Sequence, residues 1–130
     1  MKLVVMIPAY NEETTVGLVV EGISRRIERM DSVEVLLVDD GSTDSTIQEA
    51  RKSGVDFVFR HEKNMGLGVT FRNGLNRALD MGADIILSID ADMQYCPSEI
   101  PLLLKPILEG EADIVLGNRQ VGSLDHMPVG

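Results

Sequence analysis

The chain has 130 residues, with 12 Lys and Arg against 21 Asp and Glu, for a formal net charge of −9. That length makes one domain with a core of its own, and the acidic balance excludes nucleic-acid binding through phosphate contacts, which needs a positive field. The lone Cys96 forms no internal disulfide, no signal-peptide pattern opens the chain, and no apolar run nears the ~20 residues of a membrane span, so a reducing, cytoplasmic setting is expected.

Lys2 to Ile7 is a β-branched apolar run stopped by Pro8, and predicts a strand. After it, Val16, Val19, Ile23, Ile27 and Met30 recur at helical spacing. Val33 to Val38 predicts a second buried strand, and "DDGSTDST" supplies turn residues and N-caps, at Ser42 or Asp44, for a helix ending at Ser53-Gly54. Val55 to Arg60 is a third strand. From Gly66, the positions Leu67, Phe71, Leu75, Ala78 and Leu79 form a helical face closed by Gly82. "ADIILSID" is the fourth strand, "EIPLLLKPILEG" a helix capped by Ser98 and kinked or shortened at Pro106, and "ADIVLGNR" the fifth strand. Val121 to Gly130 loses pattern and is expected to be loop, so the domain reads as 1–120 with 121–130 as a loop or the start of a further region.

Continuous Val/Ile/Leu strands alternating with amphipathic helices predict an α/β fold with a mostly parallel sheet covered on both faces. In such sheets ligands bind outside the carboxyl ends of the strands, where strand order reverses. The residues just past each strand are polar: Pro8 to Glu12, Asp39 to Ser42, Arg60-His61, Asp90 to Asp92 and Asn118-Arg119. One polar cleft is expected there.

In "IDADMQ", Asp90 and Asp92 lie on one side of an extended backbone, and Gln94 joins them if the extension persists. Hard oxygen ligands with open positions suit Mg²⁺ or Mn²⁺, which takes its remaining ligands from water and substrate phosphates. The competing reading is that Asp92 caps the next turn; the position at the polar edge favours the metal. Asp40, just past the second strand, is an acceptor-only group suited to a base N–H. "NMGLGVTFRNG" lacks the spacing of a dinucleotide loop, and Gly66 and Gly68 serve helix packing or ligand approach. Arg72 reaches a phosphate or is simply an exposed helical arginine. Cys96, His61 and His126 receive no chemistry.

Together, "IPAYNEE", "VDDGSTDST", "NMGLGVTFRNG" and "DADMQYCP", in this order, resemble family 2 glycosyltransferases, on the side of the dolichyl-phosphate mannose and polyprenyl-phosphate glucose synthases. The resemblance runs almost to "GNR". It implies a GT-A, three-layer α/β/α fold and inverting transfer of a hexose from a nucleotide diphosphate sugar, with Mg²⁺ or Mn²⁺ on the diphosphate. By that resemblance Pro8, Tyr10 and Glu12 contact the nucleotide and Asp40 faces the base. Asp90, Ala91, Asp92 and Gln94 form the metal motif, with Asp92 and Gln94 as ligands and Asp90 near ribose and metal. Arg119 lies near the donor phosphates or the acceptor.

The acceptor it implies is a lipid phosphate such as a polyprenyl or dolichyl phosphate, which entails peripheral membrane association at the cytoplasmic face. An anionic acceptor needs little help from a general base. The chain departs from the pattern in "YCPSE", where Ser98 stands in place of an acid, and in length, since it stops where the resemblance leads one to expect an acceptor region. Donor binding is therefore expected ahead of turnover, and the sequence leaves open whether copies associate as a homo-oligomer to cover apolar surface. The alternatives are a non-catalytic nucleotide-sugar-binding module and a Mg²⁺-binding, receiver-like phosphoryl-transfer domain. The latter needs a Lys at a later strand end, where this chain has Asn118-Arg119.

Overall fold

The computed structural model describes residues 1–92, 97–108, 114–118 and 123–127, with the backbone alone for 106–108 and for the last two segments. The elements are β1 (Lys2–Ala9), α1 (Val16–Gly22), β2 (Ser32–Asp39), α2 (Thr46–Lys52), β3 (Phe57–Arg60) and α3 (Leu67–Asp80). Then come β4 (Ile85–Ser88), a 3₁₀ turn (Pro97–Glu99), α4 (Ile100–Leu108), β5 (Ile114–Asn118) and β6 (Ser123–Met127). They build one six-stranded sheet in the order β3-β2-β1-β4-β5-β6, parallel except for the β5–β6 pair.

Alternation along the central strands sorts the core into two layers. Leu3, Val5 and Ile7 of β1, with Val35, Leu37 and Leu87, pack against Val16, Val19 and Val20 of α1, Ala50 of α2 and Ile100, Leu103 and Leu104 of α4. Val4, Met6, Leu36 and Val38 face the other way, onto Ala78, Phe71 and Leu75 of α3. Burying each such aliphatic side chain stabilises the fold by about 1.5–3 kcal/mol. Both faces are covered, so the expected three-layer α/β/α arrangement holds.

Four expectations are corrected. The helix begun at Val16 stops at Gly22 and does not run to Met30. Ile23 is extended, and the Ser24 hydroxyl bonds to the Arg26 backbone, a local side-chain bond that competes with helix. Ile23, Ile27 and Met30 still pack on the core, from a loop, and so kept the helical spacing without the helix. On α3, Leu67 and Leu79 are 74% and 60% exposed, and Thr70, Gly74 and Ala78 turn inward instead. α4 continues through Pro106 to Leu108 and follows a 3₁₀ turn. Finally, part of the supposed loop over 121–130 is β6, paired antiparallel with β5 from Ile114↔Met127 to Asn118↔Ser123. "SLDHM" has no β-branched residue, so its strand character comes from its partner.

Candidate functional site: a cleft at the sheet's switch point

β1 has β2 on one side and β4 on the other, so the crossovers leaving β1 and β4 diverge and open a crevice at their carboxyl ends. A cleft of about 440 Å³ occupies that point. It is lined by Pro8, Ala9, Tyr10 and Glu12 after β1, Asp40 after β2, Asn64, Gly66, Leu67 and Thr70 at the start of α3, and Asp90, Ala91 and Asp92 after β4. Seven of the nine site residues expected from sequence converge there: Pro8, Tyr10, Glu12, Asp40, Asp90, Ala91 and Asp92. Gln94 and Arg119, like Cys96, lie outside the described residues. Arg72 is exposed on α3 and does not line the cleft.

The loops after β1 and β2 are laced together. Asn11, in a left-handed conformation (φ 51°), donates its amide to Ser42 Oγ (2.8 Å) and accepts from the Thr43 amide (2.8 Å). The Glu12 amide donates to Thr46 Oγ1 (2.9 Å), and Glu13 accepts from the Ser45 amide (3.0 Å). Asp44 accepts from the Thr46 amide (3.0 Å) and from the Thr46 hydroxyl, the turn role expected of it, while the N-cap of α2 is Ser45 and not Ser42 or Asp44. Burial pushes the Asp44 carboxyl up, but the Thr46 hydroxyl and the Thr46 and Glu13 amides outweigh this and hold it below its usual range. "IPAYNEE" and "DDGSTDST" thus form one braced rim.

Asp40, just past β2, is buried in the cleft wall. Its Oδ1 accepts from the Met65 amide (2.8 Å) and lies 2.8 Å from His61 Nδ1, and its Oδ2 accepts from the Gly66 amide (3.0 Å). Burial raises the carboxyl, but the bonds from His61, Met65, Thr70 and Gly66 win and hold it below the usual aspartate range. The loop carrying these amides also sits hard against Gly41 (φ 78°). A Cβ there would stand 2.5 Å from the Lys63 carbonyl carbon and 2.7 Å from the Asn64 nitrogen.

His61, to which the sequence assigns no chemistry, is thus a partner of Asp40. Once β2 and β3 pair with Asp39 opposite Arg60, the next residues, Asp40 and His61, must also meet. The pairing is the signal, and it is a tertiary one.

Asp90 and Asp92 do not sit on extended backbone as expected. β4 ends at Ser88, and Ala91-Asp92 form a turn, so the turn and not strand alternation brings both carboxylates to the cleft. The Ala91 carbonyl accepts from Thr15 Oγ1 (2.7 Å), tying this turn to the start of α1. Glu12 feels the result. Its carboxyl is raised, first by burial and then by the negative charges of Asp92, Asp44 and Asp90, against a lowering bond from Thr15.

A cluster of like charges that lifts a neighbouring carboxyl fits a divalent cation, and the donors are the hard oxygens that Mg²⁺ and Mn²⁺ prefer. Among the described residues no three acidic, histidine or cysteine side chains close around a single point. A divalent ion held by as few protein oxygens as Asp90 and Asp92 would take its remaining ligands from phosphate oxygens and water. No helix among the described residues is long and apolar enough to cross a membrane.

Residues 4–126 match the family model described as glycosyl transferase family 2. A UDP-N-acetylglucosamine–dolichyl-phosphate N-acetylglucosaminyltransferase of Methanococcus voltae is 30% identical, across 88% of this chain and 50% of that protein. A dolichol-phosphate mannosyltransferase of Pyrococcus furiosus is 32% identical, across 98% of this chain and 36% of its own length. The crystal structure of glucosyl-3-phosphoglycerate synthase from Mycobacterium tuberculosis, in complex with Mn²⁺, UDP and glucosyl-3-phosphoglycerate, superposes with a TM-score of 0.65. It is 32% identical, across 85% of this chain and 40% of the synthase. The chain thus spans half or less of these relatives. With the sheet order, the cleft and the family match over residues 4–126 in agreement, the chain belongs to glycosyl transferase family 2.

Proposed function

We propose that the cleft binds a nucleoside diphosphate sugar with Mg²⁺ or Mn²⁺, and that the whole protein transfers the hexose to an acceptor such as a polyprenyl or dolichyl phosphate at a membrane surface. The observation that carries this reading is the convergence of an acidic turn, Asp90 to Asp92, and a bonded carboxylate, Asp40, in one cleft at the switch point. In this reading Asp40 faces the base, Pro8, Tyr10 and Glu12 flank the nucleotide, and Asp90 lies by the ribose. Ala91 lines the floor, Asp92 and Gln94 take the metal, and Arg119 stands by the phosphates.

A divalent ion held there neutralises the charge of the donor diphosphate. The residues of the chain bind and orient: the braced rim over residues 11–13 and 42–46 fixes the edge along which the nucleotide lies, and Asp40 fixes the base. Transfer is then an inverting displacement. An acceptor phosphate oxygen forms a bond to the anomeric carbon as the bond from that carbon to the diphosphate breaks, and the electron pair leaves with the nucleoside diphosphate. The acceptor is already an anion, so no side chain need take a proton.

Calorimetric titration with UDP- and GDP-hexoses, with and without Mn²⁺, tests the donor site, and transfer to a short polyprenyl phosphate tests turnover. Metal-dependent binding of either donor is expected. Failure of both to bind, with or without metal, overturns the reading; binding without transfer confines it to donor recognition.

A further inference from the structure

The loop after α1 and the helix α4 line a second cavity, of about 500 Å³, that shares no residue with the cleft. The loop contributes Arg26, Glu28 and Arg29, and α4 contributes Lys105, beside the apolar Ile27 and the buried Leu104. In a chain with 12 basic and 21 acidic residues, three cations meet here against one carboxylate. The cleft is the opposite case, since Glu12, Asp40, Asp90 and Asp92 line it without a Lys or Arg. An anion needs a metal ion to enter the cleft and none to enter this second cavity.

The three cations are not engaged elsewhere. Arg25, just before them, is bonded to the Val33 and Gly54 carbonyls and to Asp56. Among the described residues no carboxylate, Glu28 included, forms an ion pair with Arg26, Arg29 or Lys105. Arg29 stands at φ 70°, in a turn closed by the Met30 amide donating to the Ile27 carbonyl (3.0 Å). Glycine takes that conformation without strain, so the turn itself does not call for an arginine. Guanidinium and ammonium groups suit the oxygens of a phosphate, and Ile27 with Leu104 suits an aliphatic stem.

We propose that this cavity is a second, metal-independent site for an amphiphilic phosphate, whose headgroup meets Arg26, Arg29 and Lys105 and whose chain lies on Ile27 and Leu104. Such a headgroup belongs to a soluble alkyl phosphate ester or to an anionic membrane lipid. The inference does not depend on the donor-site reading.

Calorimetry with hexyl phosphate and with inorganic phosphate, both in chelator, tests it on the wild type, Arg29→Gly, the double variant Arg26→Glu with Lys105→Glu, and Asp92→Ala, with thermal melts to establish folding. The wild type should bind hexyl phosphate at least about tenfold more tightly than inorganic phosphate, through burial of the chain. Arg29→Gly should melt no lower than the wild type, its turn relieved, yet lose about tenfold in affinity with one charge-assisted contact. The double variant should lose binding altogether, and Asp92→Ala none of it. Pelleting with phosphatidylcholine vesicles, with and without phosphatidylglycerol, separates the sources. Retention on the anionic vesicles that the double variant loses assigns the lipid, and hexyl phosphate binding without retention assigns a soluble ester. The inference is overturned if neither hexyl phosphate nor the anionic vesicles bind, if inorganic phosphate binds as tightly as hexyl phosphate, if binding is unchanged in a folded Arg29→Gly or double variant, or if Asp92→Ala abolishes it.

Discussion

Asp40 and Glu12 line one cleft, and their carboxyls are displaced in opposite directions. Around Asp40 the chain has supplied every partner itself: a histidine, two amides and a hydroxyl compensate its burial. Around Glu12 the neighbours are other carboxylates, and their charges add to the cost of burial. One wall is finished in the folded protein, while the other is tuned for a cation brought with the ligand. The contrast gives each wall a separate way to fail.

The largest expected effect is on the acidic wall. Asp92→Ala should weaken metal-dependent nucleotide binding by at least about 100-fold, since even groups that merely support a metal ligand cost 10- to 100-fold when lost. Thermal stability without metal should be unchanged or slightly higher. Asp40→Ala should show the reverse pattern. It leaves buried donors on His61, Met65 and Gly66 without an acceptor, each costing about 1–3 kcal/mol, so the urea midpoint should fall markedly even without ligand.

Gly41→Ala drives a Cβ into the Lys63-Asn64 backbone and should cost about 3 kcal/mol while displacing the loop that bonds to Asp40. Gly74→Ala meets the flexible Met6 Sδ at 3.0 Å and Val38 Cγ2 at 2.9 Å, and should cost about 1–2 kcal/mol with little change in nucleotide affinity.

The two walls also differ in pH dependence. The Asp40 carboxyl is lowered in the folded state, so its contribution is fully present above the ordinary aspartate value of about 3.9 and is lost as pH falls below it. Glu12 is raised, so its penalty grows as pH climbs from about 4.3 through its folded value. Urea midpoints against pH should therefore lose acid-side slope in Asp40→Asn. In Glu12→Gln they should rise modestly at neutral pH.

Smallest of all should be Arg25→Ala at the far end of the sheet. It removes bonds to the Val33 and Gly54 carbonyls and to Asp56, which should cost stability about 1 kcal/mol and leave nucleotide affinity alone.

What could be read from sequence divides along the same line. The strands were legible because "LVVMI" and "VEVLLV" are buried on both faces and need no alternation, and the acidic wall was legible because Asp90 and Asp92 stand two residues apart in the chain. The other wall was legible only in Asp40. Its partners His61, Met65, Gly66 and Thr70 come from β3, the following loop and α3, and nothing local marks them until β2 and β3 pair. The helix overrun past Gly22 has a related cause: apolar residues return to the core from a loop at the spacing a helix would use. β6 left no local trace, because its pairing with β5 supplies what its residues lack.

The central claim is that one wall is complete and the other awaits a cation. Titrating UDP into the wild type and Asp92→Ala, with Mn²⁺ and with chelator, tests it most directly. The account expects tight binding only for the wild type with Mn²⁺, and equal weak binding in the other three conditions. Tight binding of UDP to the wild type in chelator, or to Asp92→Ala with Mn²⁺, would contradict it.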